Sequence, residues 1–107
     1  MARHGYKVKQ FTKTVASAGT AEPLSATDLF SYSIEIAALD TNTGKVYVGD
    51  SDVDSTTAAG LDAGKAITMS GPLINGNQYE IRVDQIYVDA ATNGEGVSIT
   101  YLAKPDA

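Results

Sequence analysis

Asp50-Ser51-Asp52-Val53-Asp54 places three carboxylates at alternate positions, the opening of a calcium loop whose oxygen ligands stand at positions 1, 3 and 5. The remainder departs from that pattern. The sixth position is Ser55, where the sharp turn needs glycine, and the twelfth is Leu61, where a bidentate glutamate is needed. The segment therefore reads as a solvated acidic loop, and no metal or other cofactor is expected. His4 is the single histidine and the chain has no cysteine, so nothing completes a transition-metal site around it. Gly94-Glu95-Gly96 is not a phosphate-binding loop, because neither a lysine nor a helix follows it. It reads instead as the flank of a hairpin turn. Carboxylates are plentiful, yet acid–base chemistry needs a cleft that shifts their pKa values, and the spacing points to none. The chain is expected not to be an enzyme.

The remaining chemistry-bearing side chains are tyrosines and lysines. Tyr6, Tyr32, Tyr47, Tyr79, Tyr87 and Tyr101 all fall in segments that read as strands, and only two Phe and no Trp accompany them. Two readings stay open for them. A tyrosine can pack at the rim of a core with its hydroxyl reaching water, or it can serve an interface, where tyrosine is enriched. Charge is unevenly placed. Residues 1–13 hold Arg3, Lys7, Lys9 and Lys13 and no acid, whereas the rest of the chain carries a net charge of −9. An acidic body repels phosphate backbones, so nucleic-acid binding by the folded part is not expected. The basic segment is expected to reach beyond the body and dock on an acidic surface of a neighbouring subunit. Arg3 and Lys7, with Tyr6, Tyr47 and Tyr87, are the candidate partner-binding residues, while Lys9 and Lys13 are expected on the solvent face of the first strand.

These side chains must be positioned by a small framework. With 107 residues the chain has room for one domain, and Val, Ile, Leu and Phe number only 23, so the core is thin. No stretch approaches the roughly 18 apolar residues of a membrane span, and no apolar run follows the basic start to make a signal peptide. A protein made and used without secretion, with no membrane partner, is expected. Periodicity is two nearly everywhere. Tyr6–Phe11, Ser31–Ala37, Lys45–Gly49, Lys65–Ser70, Tyr79–Asp84, Ile86–Val88 and Val97–Leu102 read as strands. Asp40–Gly44 is turn chemistry that would make residues 30–49 a hairpin, and Asn93-Gly94 signals another. Asp50–Gly64 reads as one long loop and Gly71–Asn77 as a second. One helical turn is possible, at Ser25–Phe30. The expected fold is all-β: an antiparallel β-sandwich or jelly roll of seven or eight short strands. Its basic arm and first strand occupy residues 1–13, and a single domain occupies residues 14–107.

Three segments carry a resemblance: Thr41-Asn42-Thr43-Gly44-Lys45-Val46-Tyr47-Val48-Gly49, then Gly60-Leu61-Asp62-Ala63-Gly64-Lys65-Ala66-Ile67-Thr68, then Gln85-Ile86-Tyr87-Val88-Asp89. In this order, and over residues 41–102, the chain resembles small virion proteins of tailed bacteriophages, in particular head decoration (cement) proteins. The resemblance implies no catalytic residues. It implies a homo-oligomer, often a trimer, that sits on a capsid lattice and clamps subunits of the major capsid protein, with the virion as its location. Phage tail, fibre, collar and baseplate parts share these features. A carbohydrate- or ligand-binding β-sandwich module is the alternative of another class, since tyrosine-bearing sheets and acidic loops suit sugars.

Overall fold

Strict alternation of apolar and polar side chains puts one face of each strand in a core and the other in water. The computed structural model, which describes residues 5–103, builds its two layers on that pattern. Eleven strands form among the described residues: β1 (Lys7–Thr14), β2 (Glu22–Pro23), β3 (Phe30–Ser31), β4 (Ser33–Ala38), β5 (Val46–Gly49), β6 (Ala66–Ser70), β7 (Leu73–Ile74), β8 (Asn77–Gln78), β9 (Ile81–Arg82), β10 (Tyr87–Ala90) and β11 (Gly96–Ala103). The large sheet has the order β1-β11-β4-β6, the small one β2-β10-β5, and β3-β9 and β7-β8 are two-stranded pairs. Every pairing is antiparallel. The fold is thus all-β and sandwich-like. Among the described residues no helix is long and apolar enough to cross a membrane.

The core lies between the sheets. Ile34, Ile36 and Ala38 of β4 and Val97 and Ile99 of β11 line it from the large sheet, while Val46 of β5 and Val88 and Ala90 of β10 line it from the small one. Val15, Leu24, Val83 and Ile86 close its sides. Phe11 and Tyr101 pack edge-to-face at the rim, with ring centroids 5.9 Å apart. Two glycines permit close approach. A Cβ on Gly96 would run into the Lys13 carbonyl across the β1–β11 pairing, and one on Gly71 would run into the Tyr79 carbonyl.

Five local expectations are corrected. Residues 30–49 are not a hairpin: β4 is flanked by β11 and β6, and β5 pairs with β10 in the opposite layer. Val46 and Ile36 both lie in the core from opposite sheets, so the chain crosses between layers at Asp40–Gly44. Asn93-Gly94 likewise joins two sheets rather than two paired strands, because β10 is already held by β2 and β5. Ser25–Phe30 makes no helical turn. The Ser25 hydroxyl instead donates to the Thr27 carbonyl at 2.8 Å, a local bond that competes with helix formation. The single helical turn among the described residues is a 3₁₀ turn at Val83–Gln85, which shortens the strand expected at Tyr79–Asp84 to β9. Finally, the second loop contains the β7–β8 hairpin. Its turn residues Asn75 and Gly76 both have positive φ, 52° and 79°, the pattern of a type I′ turn.

Candidate partner-binding surface

The start of β1 lies beside the end of β11, with Val8 opposite Leu102 and Lys7 opposite Ala103. β4 begins and β6 ends at the same edge, since Ser33 faces Ser70. Tyr6, just before β1, packs its ring edge-on against Tyr32, centroids 5.2 Å apart, and remains 50% exposed. Tyr6, Tyr32, Leu102, Ser70, Gly71 and Gln78 line an open depression of about 340 Å³. Beyond it the β7–β8 hairpin is pinned by the Gly71 N–H donating to Tyr32 at 2.9 Å and the Tyr79 N–H donating to Pro72 at 2.9 Å. The hairpin leaves Leu73 69% and Ile74 47% exposed, with Tyr79 at 49% and Val8 at 64%. Close backbone contact at Gly71 is what lets this hairpin fold back. One end of the domain therefore presents apolar and aromatic side chains with little cover.

Tyr47 and Tyr87 sit elsewhere. Tyr87 faces Gly49 and Tyr47 faces Asp89 across β10–β5, so both tyrosines project from the outer face of the small sheet and are half-buried. Tyr47, Ala18, Gly19, Asp54, Ser55 and Asp89 line an open depression of about 510 Å³ there. Asp89 is buried, and its Oδ1 accepts the N–H groups of Gly19 at 2.9 Å and Ala90 at 2.8 Å. The expected partner-binding residues therefore divide between two surfaces, Tyr6 and Lys7 on one and Tyr47 and Tyr87 on the other. Arg3 lies outside the described residues. Of the six tyrosines, only Tyr47, Tyr87 and Tyr101 lie within strands, while Tyr6, Tyr32 and Tyr79 flank strand ends.

One lysine of β1, Lys13, also departs from expectation. Lys7, Lys9 and Lys13 share the inward face with Phe11, which packs against the core. Lys13 is half-buried and bonded to Glu22 at 3.0 Å rather than standing on a solvent face. Glu22 is held below its ordinary value by the Ala16 N–H and by Lys13, against an opposing contribution from burial.

The acidic groups act mainly as caps for their own loops. Asp50 accepts the Asp52 N–H at 2.9 Å. Asp54 accepts the Thr56 hydroxyl at 2.6 Å and its N–H at 2.8 Å, bonds that hold its carboxyl below the usual range. Among the described residues no three His, Cys, Asp or Glu side chains stand together as a metal cluster. Sequence reasoning missed the Glu95 clamp. Its carboxylate accepts the N–H groups of Thr43 at 2.7 Å and Gly44 at 2.9 Å, which lower its pKa, while Asn42 and Gly96 exchange bonds beside it. The polar Asn42-Thr43-Gly44 turn was a signal that something must satisfy its amides, but not that Glu95 would. The exposed Leu73-Ile74 pair on a hairpin tip was legible only once the tip was known to be a hairpin. Comparison with protein families, curated proteins and solved structures gives no match for this chain.

Proposed function

We propose that this chain is a structural particle protein, a capsid decoration protein that binds and stabilises a lattice of major capsid protein. The observation that carries the reading is the uncovered apolar end: Tyr6, Val8, Leu73, Ile74 and Tyr79 exposed at one end of a body whose extents are 50 × 26 × 23 Å. Scattered surface apolar residues need no explanation, but a group gathered at one end marks an interaction surface. A rigid β-domain with an apolar end is suited to wedging between lattice subunits, where burying about 25 cal/mol per Å² of apolar surface supplies the attachment. The resemblance in residues 41–102 points to the same class of protein. Several copies would pack around one lattice point, as the oligomer implied by that resemblance requires.

The experiment is co-sedimentation with capsid particles that lack the protein. The full chain is expected to pellet with particles and saturate at a fixed ratio to the major capsid protein. A Leu73→Ser, Ile74→Ser double variant is expected to stay in the supernatant while keeping its fold. Binding by the double variant as tight as by the parent would place the attachment surface elsewhere. No saturable binding by the parent would overturn the reading.

A further inference from the structure

β1 is an edge strand of eight residues, and among the described residues no strand pairs with its outer side. The hydrogen-bond pattern fixes which groups it turns outward. Val15 donates its N–H to Glu95 at 2.9 Å, and Leu39 donates to Gly96 at 3.1 Å on the far side of β11. In an antiparallel ladder the bonding direction alternates along each strand. Lys7, Lys9, Phe11 and Lys13 therefore bond to β11, and Val8, Gln10 and Thr12 aim their N–H and C=O groups away from the sheet. Such an edge is a template for another strand.

The side chains decide which strand. Lysines at positions 7, 9 and 13 share one face, and no acid occurs in residues 5–14. A second copy of β1 could add about a two-fold axis only in registers that keep like faces together. Centring on Lys9 sets Lys9 against Lys9, centring on Gln10 sets Lys7 against Lys13, and centring on Phe11 sets Lys9 against Lys13. Like charges directly opposite are unfavourable, so these registers, the ones that overlap most of β1, disfavour its own copy. Lys9, exposed on this face, attracts an acidic strand. We propose that the free edge of β1 is a docking site for an extended acidic segment of another protein, added antiparallel as a fifth strand of the large sheet. Opposite Phe11, Gln10, Lys9 and Val8 in turn, the segment reads apolar, any residue, acid, apolar. Main-chain bonds to Val8, Gln10 and Thr12 supply affinity, and the acid facing Lys9 supplies selection. This edge adjoins the apolar end at Val8 but is a main-chain surface of its own, and the proposal holds whatever particle or complex the protein serves.

The test uses the full chain, labelled for amide NMR, and a synthetic peptide containing Val-Thr-Glu-Val. Binding is expected to slow hydrogen exchange at the amides of Val8, Gln10 and Thr12. A peptide with the Glu replaced by Lys is expected to bind about fivefold more weakly, and Lys9→Glu to reverse that preference. Gln10→Pro removes one outward N–H and leaves the bonds to β11 in place, as proline is tolerated on an edge strand. It is expected to abolish slowing at Val8 and Thr12 without lowering the melting temperature appreciably. No protection at the three amides, equal binding of both peptides, or shift changes confined to another surface would each overturn the proposal and leave the lysines as a block against edge pairing. Should Gln10→Pro unfold, the charge reversal by Lys9→Glu decides alone.

Discussion

The Glu95 carboxylate accepts the Thr43 N–H at 2.7 Å, although the two residues lie 52 positions apart in sequence. With the Thr43 hydroxyl and the Gly44 N–H on the same carboxylate, one side chain holds the crossover from β4 to β5 against the crossover from β10 to β11. Both crossovers change layers, so the clamp fixes how the two sheets lie on each other. Glu95→Gln is expected to lower the melting temperature at pH 7, because a charge-assisted acceptor of backbone N–H groups is replaced by a neutral amide with only one acceptor oxygen. Thermal melts of the two proteins read this directly.

The pH dependence of that difference follows from linkage. The Gly44 and Thr43 amides hold Glu95 below its ordinary 4.5, and the Ala16 N–H with Lys13 does the same for Glu22. A carboxyl with a lowered folded pKa contributes stability above its unfolded pKa and loses it as pH falls through the folded value. Stability is therefore expected to be level above about pH 5 and to decline below the ordinary carboxylate value. The gap between the parent and Glu95→Gln should shrink over the same interval. A gap that stayed constant down to pH 2 would show that the clamp acts without its charge.

Core packing gives a larger effect. Ile36 is fully buried in β4 beneath the small sheet, where its truncation leaves a cavity. Ile36→Ala is expected to destabilise the fold by about 2–5 kcal/mol, measured by urea unfolding. In a domain with so few large aliphatic residues, that is a considerable part of a typical stability of about 5–15 kcal/mol.

Gly71 offers a local counterpart. Its missing Cβ is where the Tyr79 carbonyl passes, and the β7–β8 hairpin folds back through that contact. Gly71→Ala is expected to cost about 1–3 kcal/mol and to increase hydrogen exchange in residues 71–79 before the rest of the sheet. Uniform loss of protection across β4 and β11 would show that the hairpin is not a separable unit.

Much of the architecture was legible because side chains alternate. Ile34 and Ile36, and Val97, Ile99 and Tyr101, announce β4 and β11, and both form where the period places them. Strand partners were not legible. Asn93-Gly94 has hairpin chemistry, and Gly94 does adopt φ 81°, yet the turn feeds another sheet because β10 already has neighbours on both sides. Turn residues specify local backbone direction, whereas pairing is decided by which apolar faces must meet. The same limit applies to the candidate surfaces. Tyr6 and Lys7 were named from charge and residue type, but that Leu73 and Ile74 join Tyr6 at one end depends on the register of β6 against β4. Inward-pointing Lys9 and Lys13 follow the same strand period that was read correctly. What the sequence does not show is that the neighbouring layer reaches Lys13, through Glu22 of β2, and leaves Lys9 exposed.

Bulk occupancy of a capsid lattice, as proposed, is read from copy number. Quantitative mass spectrometry of purified particles, with the major capsid protein as internal reference, is the measurement. A fixed and high ratio of this chain to the major capsid protein is expected, matching a regular set of lattice positions. A handful of copies per particle would assign it to a tail or collar instead, and absence from purified particles would contradict the structural role altogether.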